Sequence, residues 1–144
     1  MSEAEVAAFL DEQRVVMCAT NGPRGWPHLM PLWYVVRDGE IWAWTYAKSQ
    51  KVLNLQRDPR ATLSVEDGES YEELRGVMIE AHTEIHRDLE LVAEIGTGVV
   101  GRYTGATGTD FLAGVRRQAA KRVAMRFRAQ RTASWDHGKL AGTH

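Results

Sequence analysis

With one cysteine, Cys18, the 144-residue chain can form no intrachain disulfide. The apolar run around it, Val15-Val16-Met17-Cys18-Ala19, marks a small buried thiol rather than a nucleophile or a metal ligand. No apolar run reaches the ~18 residues of a membrane span. The first residues, Met1-Ser2-Glu3-Ala4-Glu5, are acidic and carry neither the basic start nor the apolar core of a signal peptide, so a cytoplasmic protein with no membrane partner is expected. A net charge of -1 gives no electrostatic reason to invoke nucleic acid. Internal repeats and low-complexity segments are also lacking, and the length suits one domain over residues 1–144.

Ser2 and Glu5 have the spacing of a capping box, and Val6, Phe9 and Leu10 form a stripe at helical period, which predicts an amphipathic helix over 3–13. Arg14–Thr20 is a strand. The turn cluster Asn21-Gly22-Pro23-Arg24-Gly25 connects it to a second strand over Pro27–Val36. Pro31 cannot donate to a ladder, so that strand lies at an edge. Asp38-Gly39 is a hairpin signal leading into Ile41–Tyr46, and Trp33, Trp42 and Trp44 fall on neighbouring strands as a core or dimer cluster.

Ala61–Glu66 is a further strand, and Asp67-Gly68 a second hairpin signal before a long alternating run over Tyr71–His86. Gly76 at its entry suggests a bulge or a close backbone approach. His82, Glu84 and His86 share one face of that run, but the opposite face carries the apolar set, so they face solvent and no metal is assigned. Leu89–Val100 and Phe111–Ala120 read as helices joined by a connector over 101–108, and Arg122–Arg128 as a last strand with a basic outer face. The tail then sets Trp135 among polar residues, where it is costly unless it docks on something. Six or more strands with tight hairpins and one inserted helix predict a closed antiparallel barrel rather than a parallel sheet.

One stretch breaks a local rule. After Ile41–Tyr46, Ser49 is a good N-cap for a short helix with Val52 and Leu55 on one face, stopped by Asp58-Pro59. Lys48 and Lys51 flank that cap, where the helix dipole disfavours cations by roughly 0.3–1 kcal/mol each. Free N–H groups, a hydroxyl and two ammonium groups at one point make an anion site, and a bound phosphate reverses the sign of the penalty.

These residues resemble the split β-barrel flavin and deazaflavin oxidoreductases, the pyridoxamine-phosphate oxidase superfamily, most closely its actinobacterial branch that uses coenzyme F420. The resemblance rests on Pro27 with Trp33, Ala47-Lys48-Ser49-Gln50-Lys51 with Asn54-Leu55, Arg57-Asp58-Pro59-Arg60-Ala61-Thr62, Ser70-Tyr71 and Gly76, while Ser134-Trp135-Asp136 with Lys139-Leu140 is similar to the tail of many members. It implies a mainly β split barrel, a homodimer with cofactor sites at its interface, and phosphate held by Lys48, Ser49 and Lys51. It also implies a ring along Met30, Pro31, Leu32 and Trp33, with Thr45 and Tyr46 beneath the linker and His28 at the rim. Tyr71 and Trp135 close the pocket from either subunit.

Lys48, Lys51, Arg57 and Arg60 form a basic run suited to the phosphodiester and polyglutamate tail of F420. The arginine- and lysine-rich FMN signature of the pyridoxamine-phosphate oxidases themselves is not found, which places FMN second. The expected function is a reductase passing a hydride from reduced F420 to an electron-poor small-molecule substrate. The alternatives are an FMN-dependent enzyme and a non-catalytic carrier of flavin, F420 or haem. His28 and Tyr71 are the proton-donor candidates, and no catalytic residue is assigned.

Overall fold

A computed structural model of the chain describes residues 1–141. Helix α1 (Glu3–Glu12) starts on a complete capping box: Ser2 accepts from the Glu5 N–H, and the Glu5 carboxylate accepts from the Ser2 N–H. Seven strands follow: β1 (Val15–Asn21), β2 (Pro27–Trp33), β3 (Val35–Arg37), β4 (Glu40–Tyr46), β5 (Arg60–Asp67), β6 (Arg75–His86) and β7 (Arg122–Asp136). They form one antiparallel sheet in the order β2-β1-β5-β6-β7-β4-β3. The two edge strands, β2 and β3, are separated in the chain by Tyr34 alone. A sheet whose opposite edges are one residue apart must be rolled, so this is a split antiparallel barrel, open between β2 and β3.

Two clusters fill the structure. Inside the roll, Val16, Cys18, Ile41, Ala43, Leu63, Val77, Met125 and Phe127 pack with Phe9 and Leu10 of α1 and with Leu55. Leu55 belongs to α2 (Gln50–Arg57), the helix between β4 and β5. Outside it, Trp42 and Ala124 pack under Val92, Ile95 and Val99 of α3 (Leu89–Thr104) and Ala119 of α4 (Thr109–Ala119). Gly96 allows that docking, because a Cβ there would stand 2.2 Å from Cζ3 of Trp44. Among the described residues no helix is long and apolar enough to cross a membrane.

Several expectations hold. Pro31 lies on an edge strand. Asp38 and Gly39 turn the β3–β4 hairpin with φ of 52° and 77°, the left-handed pair such a turn needs. Gly76 is a close approach, since a Cβ would meet Trp135 Cζ2 at 2.3 Å and the Val65 carbonyl oxygen at 2.9 Å.

Others are corrected. The second strand breaks at Tyr34, so Trp33 on β2 and Trp42 and Trp44 on β4 are not on neighbouring strands. Asp67-Gly68 opens a longer connection that includes a 3-10 turn at Tyr71–Glu73, and the ladder resumes only at Asp67 opposite Arg75. Residues 101–104 are the last turn of α3 rather than a connector. The tail continues β7 to Asp136, so Trp135 sits half-buried over Gly76, and the short helix α5 (Gly138–Ala141) follows.

Arg102, in that unforeseen last turn, closes the seam. Its guanidinium donates to the carbonyls of Tyr34 (3.0 Å), Leu10 (3.1 Å), Asp11 and Gln13, and lies 4.8 Å from the Tyr34 ring centre. Helix α1 has no basic residue in its own last turn, and Arg102 supplies that cation from another helix. A lysine cannot reproduce the planar fork. Arg102→Lys is therefore expected to lower the unfolding free energy by about 2–3 kcal/mol in urea titration, with the amides at the α1 C-terminus losing hydrogen-exchange protection first.

Candidate functional site

The start of α2 is set by β4 and by the head of β7. Along β4, Ile41 and Ala43 are buried in the inner core and Thr45 follows on the same face, while Trp42, Trp44 and Tyr46 face α3 and α4. The Ala47 N–H then donates to the Lys121 carbonyl and the Ser49 N–H to the Tyr46 carbonyl, which tightens the turn into the helix. Val52 and Leu55 are buried as their spacing predicts. Between them Asn54 is fully buried, its amide donating to Thr20 Oγ1 (3.1 Å) and accepting from Gln50 (2.8 Å), which pins α2 to β1.

Ser49 has the extended backbone of an N-cap, φ -68° and ψ 156°, but its hydroxyl does not cap. Its Oγ is buried without a hydrogen-bond partner. The bond from the Leu53 N–H to the Ser49 carbonyl opens the helix, so the amides of Gln50, Lys51 and Val52 have no intrahelical acceptor. Lys51 does not lie out in solvent opposite the cap. Its half-buried ammonium donates to Thr45 Oγ1 (3.1 Å), and burial lowers its pKa below the usual lysine value. Lys48 is exposed, and among the described residues neither lysine is in an ion pair. The helix start thus gathers donors without a carboxylate to meet them, and buried polar atoms left unmatched in this way make it a candidate site.

The remaining expected residues divide by strand parity. Direct partners in an antiparallel pair share a face, and His28, Met30 and Leu32 stand opposite Thr20, Cys18 and Val16, all buried inside the roll. Those three side chains therefore share the inner face of β2, where Leu32 packs on the core and Met30 stays exposed. His28, with Trp26, Gln50 and Asn54, lines a cavity of about 320 Å³ beside the first turn of α2, and its Nδ1 is buried without a partner. Leu29, Pro31 and Trp33 take the other face, where Trp33 stacks on Tyr103 of α3 at 4.1 Å and 7°.

Thr45 and Tyr46, expected together beneath a linker, project to opposite faces of β4. Thr45 meets Lys51, and Tyr46 meets Arg122. Tyr71 and Trp135 lie at the far end of the 15-residue β7 from the Tyr46–Arg122 pair, where Tyr71 contacts His137 and Trp135 covers Gly76. Within one chain they do not meet the α2 site. The basic run is also divided: Arg57 donates to the Asn21 carbonyl and Arg60 pairs with Asp58 at 2.8 Å, both at the C-terminal end of α2. Cys18 is a buried thiol, pushed up to about 11 by burial. Glu84 is held below the usual carboxylate range, first by its hydrogen bond from His86 and then by Arg128 and Arg126.

The family model for pyridoxamine 5′-phosphate oxidase matches residues 2–136. The chain belongs to that family. A conserved hypothetical protein of Mycobacterium tuberculosis is 48% identical, with 98% of this chain and 88% of that one covered and a TM-score of 0.93. An F420 reductase shares the fold at 20% identity and a TM-score of 0.71, with 88% and 94% covered. The haem storage protein HutZ of Vibrio cholerae shares it at 16% identity and 0.70, with 93% of each chain covered. None of the curated proteins matches.

Sequence reasoning gave Thr20 and Gln50 no role and quoted Asn54 only as part of a motif. The available signal was an amide placed on the apolar stripe of α2. Asn54→Ala, which strands the Thr20 hydroxyl, is expected to cost about 1–3 kcal/mol in urea unfolding, whereas Ser49→Ala, which removes an already unpaired hydroxyl, should leave the ligand-free chain as stable as before. Because the folded pKa of Lys51 lies below its unfolded value, the unfolded chain binds more protons in the window just under 10.5. Stability should climb with pH across that window, and Lys51→Met should flatten the climb without lowering the melting temperature.

Proposed function

We propose that the chain is an oxidoreductase that binds F420 at the mouth between β2 and α2 and uses it to reduce an electron-poor small-molecule substrate. The reading is carried by the start of α2, where the Lys51 ammonium, the unpaired Ser49 hydroxyl and three amides without an intrahelical acceptor come together with no carboxylate among them. The single half-buried cation also bears on the choice of cofactor. One ammonium with neutral donors balances the monoanion of a phosphodiester, as in F420, better than the dianion of a terminal monoester, as in FMN. The F420 reductase among proteins of this fold agrees with that order.

The chemistry F420 supplies when bound is hydride donation. The chain's own part is positioning. Lys51, Ser49 and the α2 amides hold the phosphate, Met30 and Leu32 offer apolar contact and exclude water, and Thr45 keeps the Lys51 ammonium in place. Of the two proton-donor candidates, His28 is at the mouth of its own chain, with Nδ1 the atom that can pass a proton, and Tyr71 can act only from a second copy.

The mouth is completed by a second copy. Strand β2 is an apolar sheet edge, with Leu29, Met30 and Trp33 exposed at 57, 45 and 49%, and an uncovered edge of this kind invites pairing or burial. A homodimer covers it and brings Tyr71 and Trp135 of the other subunit to a pocket they cannot reach within their own.

Titration followed by tryptophan quenching should show F420 binding at least tenfold tighter than FMN, and Lys51→Ala should weaken it ten- to a hundredfold. Equal or tighter FMN binding would reverse the cofactor order. Retention of reduced F420 without turnover of activated alkenes would make the protein a carrier. Sedimentation at micromolar concentration should give a dimer, and a monomer there would remove the shared pocket.

A further inference from the structure

Arg116 pairs with Glu90, Arg126 with Glu40 and Glu84, Arg128 with Glu84, Arg75 with Asp67, and Arg60 with Asp58. Around the end of β4, cations without an ion pair gather at one cavity. Arg117, Lys121 and Arg122 are in no ion pair among the described residues, and with Tyr46, Gly114 and Gln118 they line a cavity of about 480 Å³. Exposed Lys48 follows directly, since the Ala47 N–H is bonded to the Lys121 carbonyl.

One of these cations is held in place. Arg122 lies 4.2 Å from the ring centre of Tyr46 and 4.7 Å from that of Trp44, and its guanidinium donates to the Gln118 carbonyl at 3.3 Å. Stacking on two aromatic faces fixes the guanidinium plane, so less entropy is lost when it binds an anion. The dipole of α4 accounts for a cation in its own last turn. It does not account for Lys121 and Arg122 facing the same cavity as Arg117, where like charges repel unless an anion lies between them.

We propose that this cavity is a second anion subsite, on the face of β4 opposite Lys51, taking a ligand with several carboxylate or phosphate oxygens. Tyr46 belongs to it rather than to the Lys51 site. The ligand is either a free polyanion or the charged tail of a molecule anchored at α2. The subsite itself does not depend on the cofactor assignment.

Amide shifts of the labelled full chain, titrated with tripolyphosphate at low ionic strength, test it. Gly114, Gln118 and Ala47 should move and saturate. In the double variant Arg117→Gln/Lys121→Gln their midpoint should rise tenfold or more, while the shifts of Gln50 and Val52, which report the α2 site, keep their wild-type midpoint. Both substitutions are at exposed positions, and the same spectrum verifies the fold. Shifts at Gly114 and Gln118 that are absent, or that keep their midpoint in the double variant, would overturn the subsite. A second arm compares F420 bearing its glutamate tail with the deazaflavin lacking phosphate and tail. Movement of the Gly114 set with the tailed form as well as with tripolyphosphate, but not with the tailless form, assigns the subsite to a ligand anchored at α2. Movement with tripolyphosphate alone assigns it to a free polyanion, even if F420 does not bind at all.

Discussion

The barrel depends on a seam one residue wide. Tyr34 is the whole connection between β2 and β3, the two edges of the sheet, so its position decides whether the sheet rolls or lies open. It is fully buried, and its hydroxyl donates to the Leu10 carbonyl at 2.6 Å, while burial pushes its pKa up to about 12. Arg102 then lies over its ring and draws the carbonyls of Tyr34, Leu10, Asp11 and Gln13 to one point. Helix α1, the corner and α3 therefore share one charged group. Each charge-assisted bond is worth more than a neutral one, and losing the donor strands several acceptors at once.

Closing the seam this way leaves β2 with its outer edge unpaired, and the site follows from that. Strand parity puts His28, Met30 and Leu32 on the inner face of β2, opposite Thr20, Cys18 and Val16, and the unpaired edge leaves that face uncovered on one side. Helix α2 stands across from them, anchored by Asn54 inside and left unsatisfied at its start. The anchoring and the unsatisfied start are adjacent but distinct: Val52, Asn54 and Leu55 stabilise the fold, while Ser49 and Lys51 detract from it slightly in the absence of an anion. That division agrees with binding residues being the places where local rules are broken.

What could be read without coordinates were features set within a few residues. The Ser2–Glu5 box, the Asp38-Gly39 turn, Pro31 at an edge, the crowding at Gly76 and the stripe of α2 all depend on local geometry, and all appear. What was misread depends on distant partners. Trp33 and Trp42 are nine residues apart in sequence, yet the break at Tyr34 leaves Trp33 on the β2 edge while Trp42 pairs with Val35 of β3. Arg102 looked like part of a glycine-rich connector because its acceptors lie about 70 to 90 residues earlier. The basic run from Lys48 to Arg60 is continuous in sequence but divided in space, since Asp58 and the Asn21 carbonyl occupy its second half.

The cations that replace that second half come from α4 and β7, which no local pattern connects to α2. Register makes the connection, because Tyr46 faces Arg122 across the β4–β7 ladder and Ala47 is bonded to Lys121. A single strand end thereby serves two surfaces. Thr45 sends its hydroxyl to Lys51 on the inner face, and Tyr46 offers its ring to Arg122 on the outer one. Period-two alternation requires that split, so a ligand touching both must pass around the end of β4 at Ala47 and Lys48. Lys48 is the exposed cation at that crossing, where a shared ligand of the proposed kind would offset the cost the helix dipole places on it.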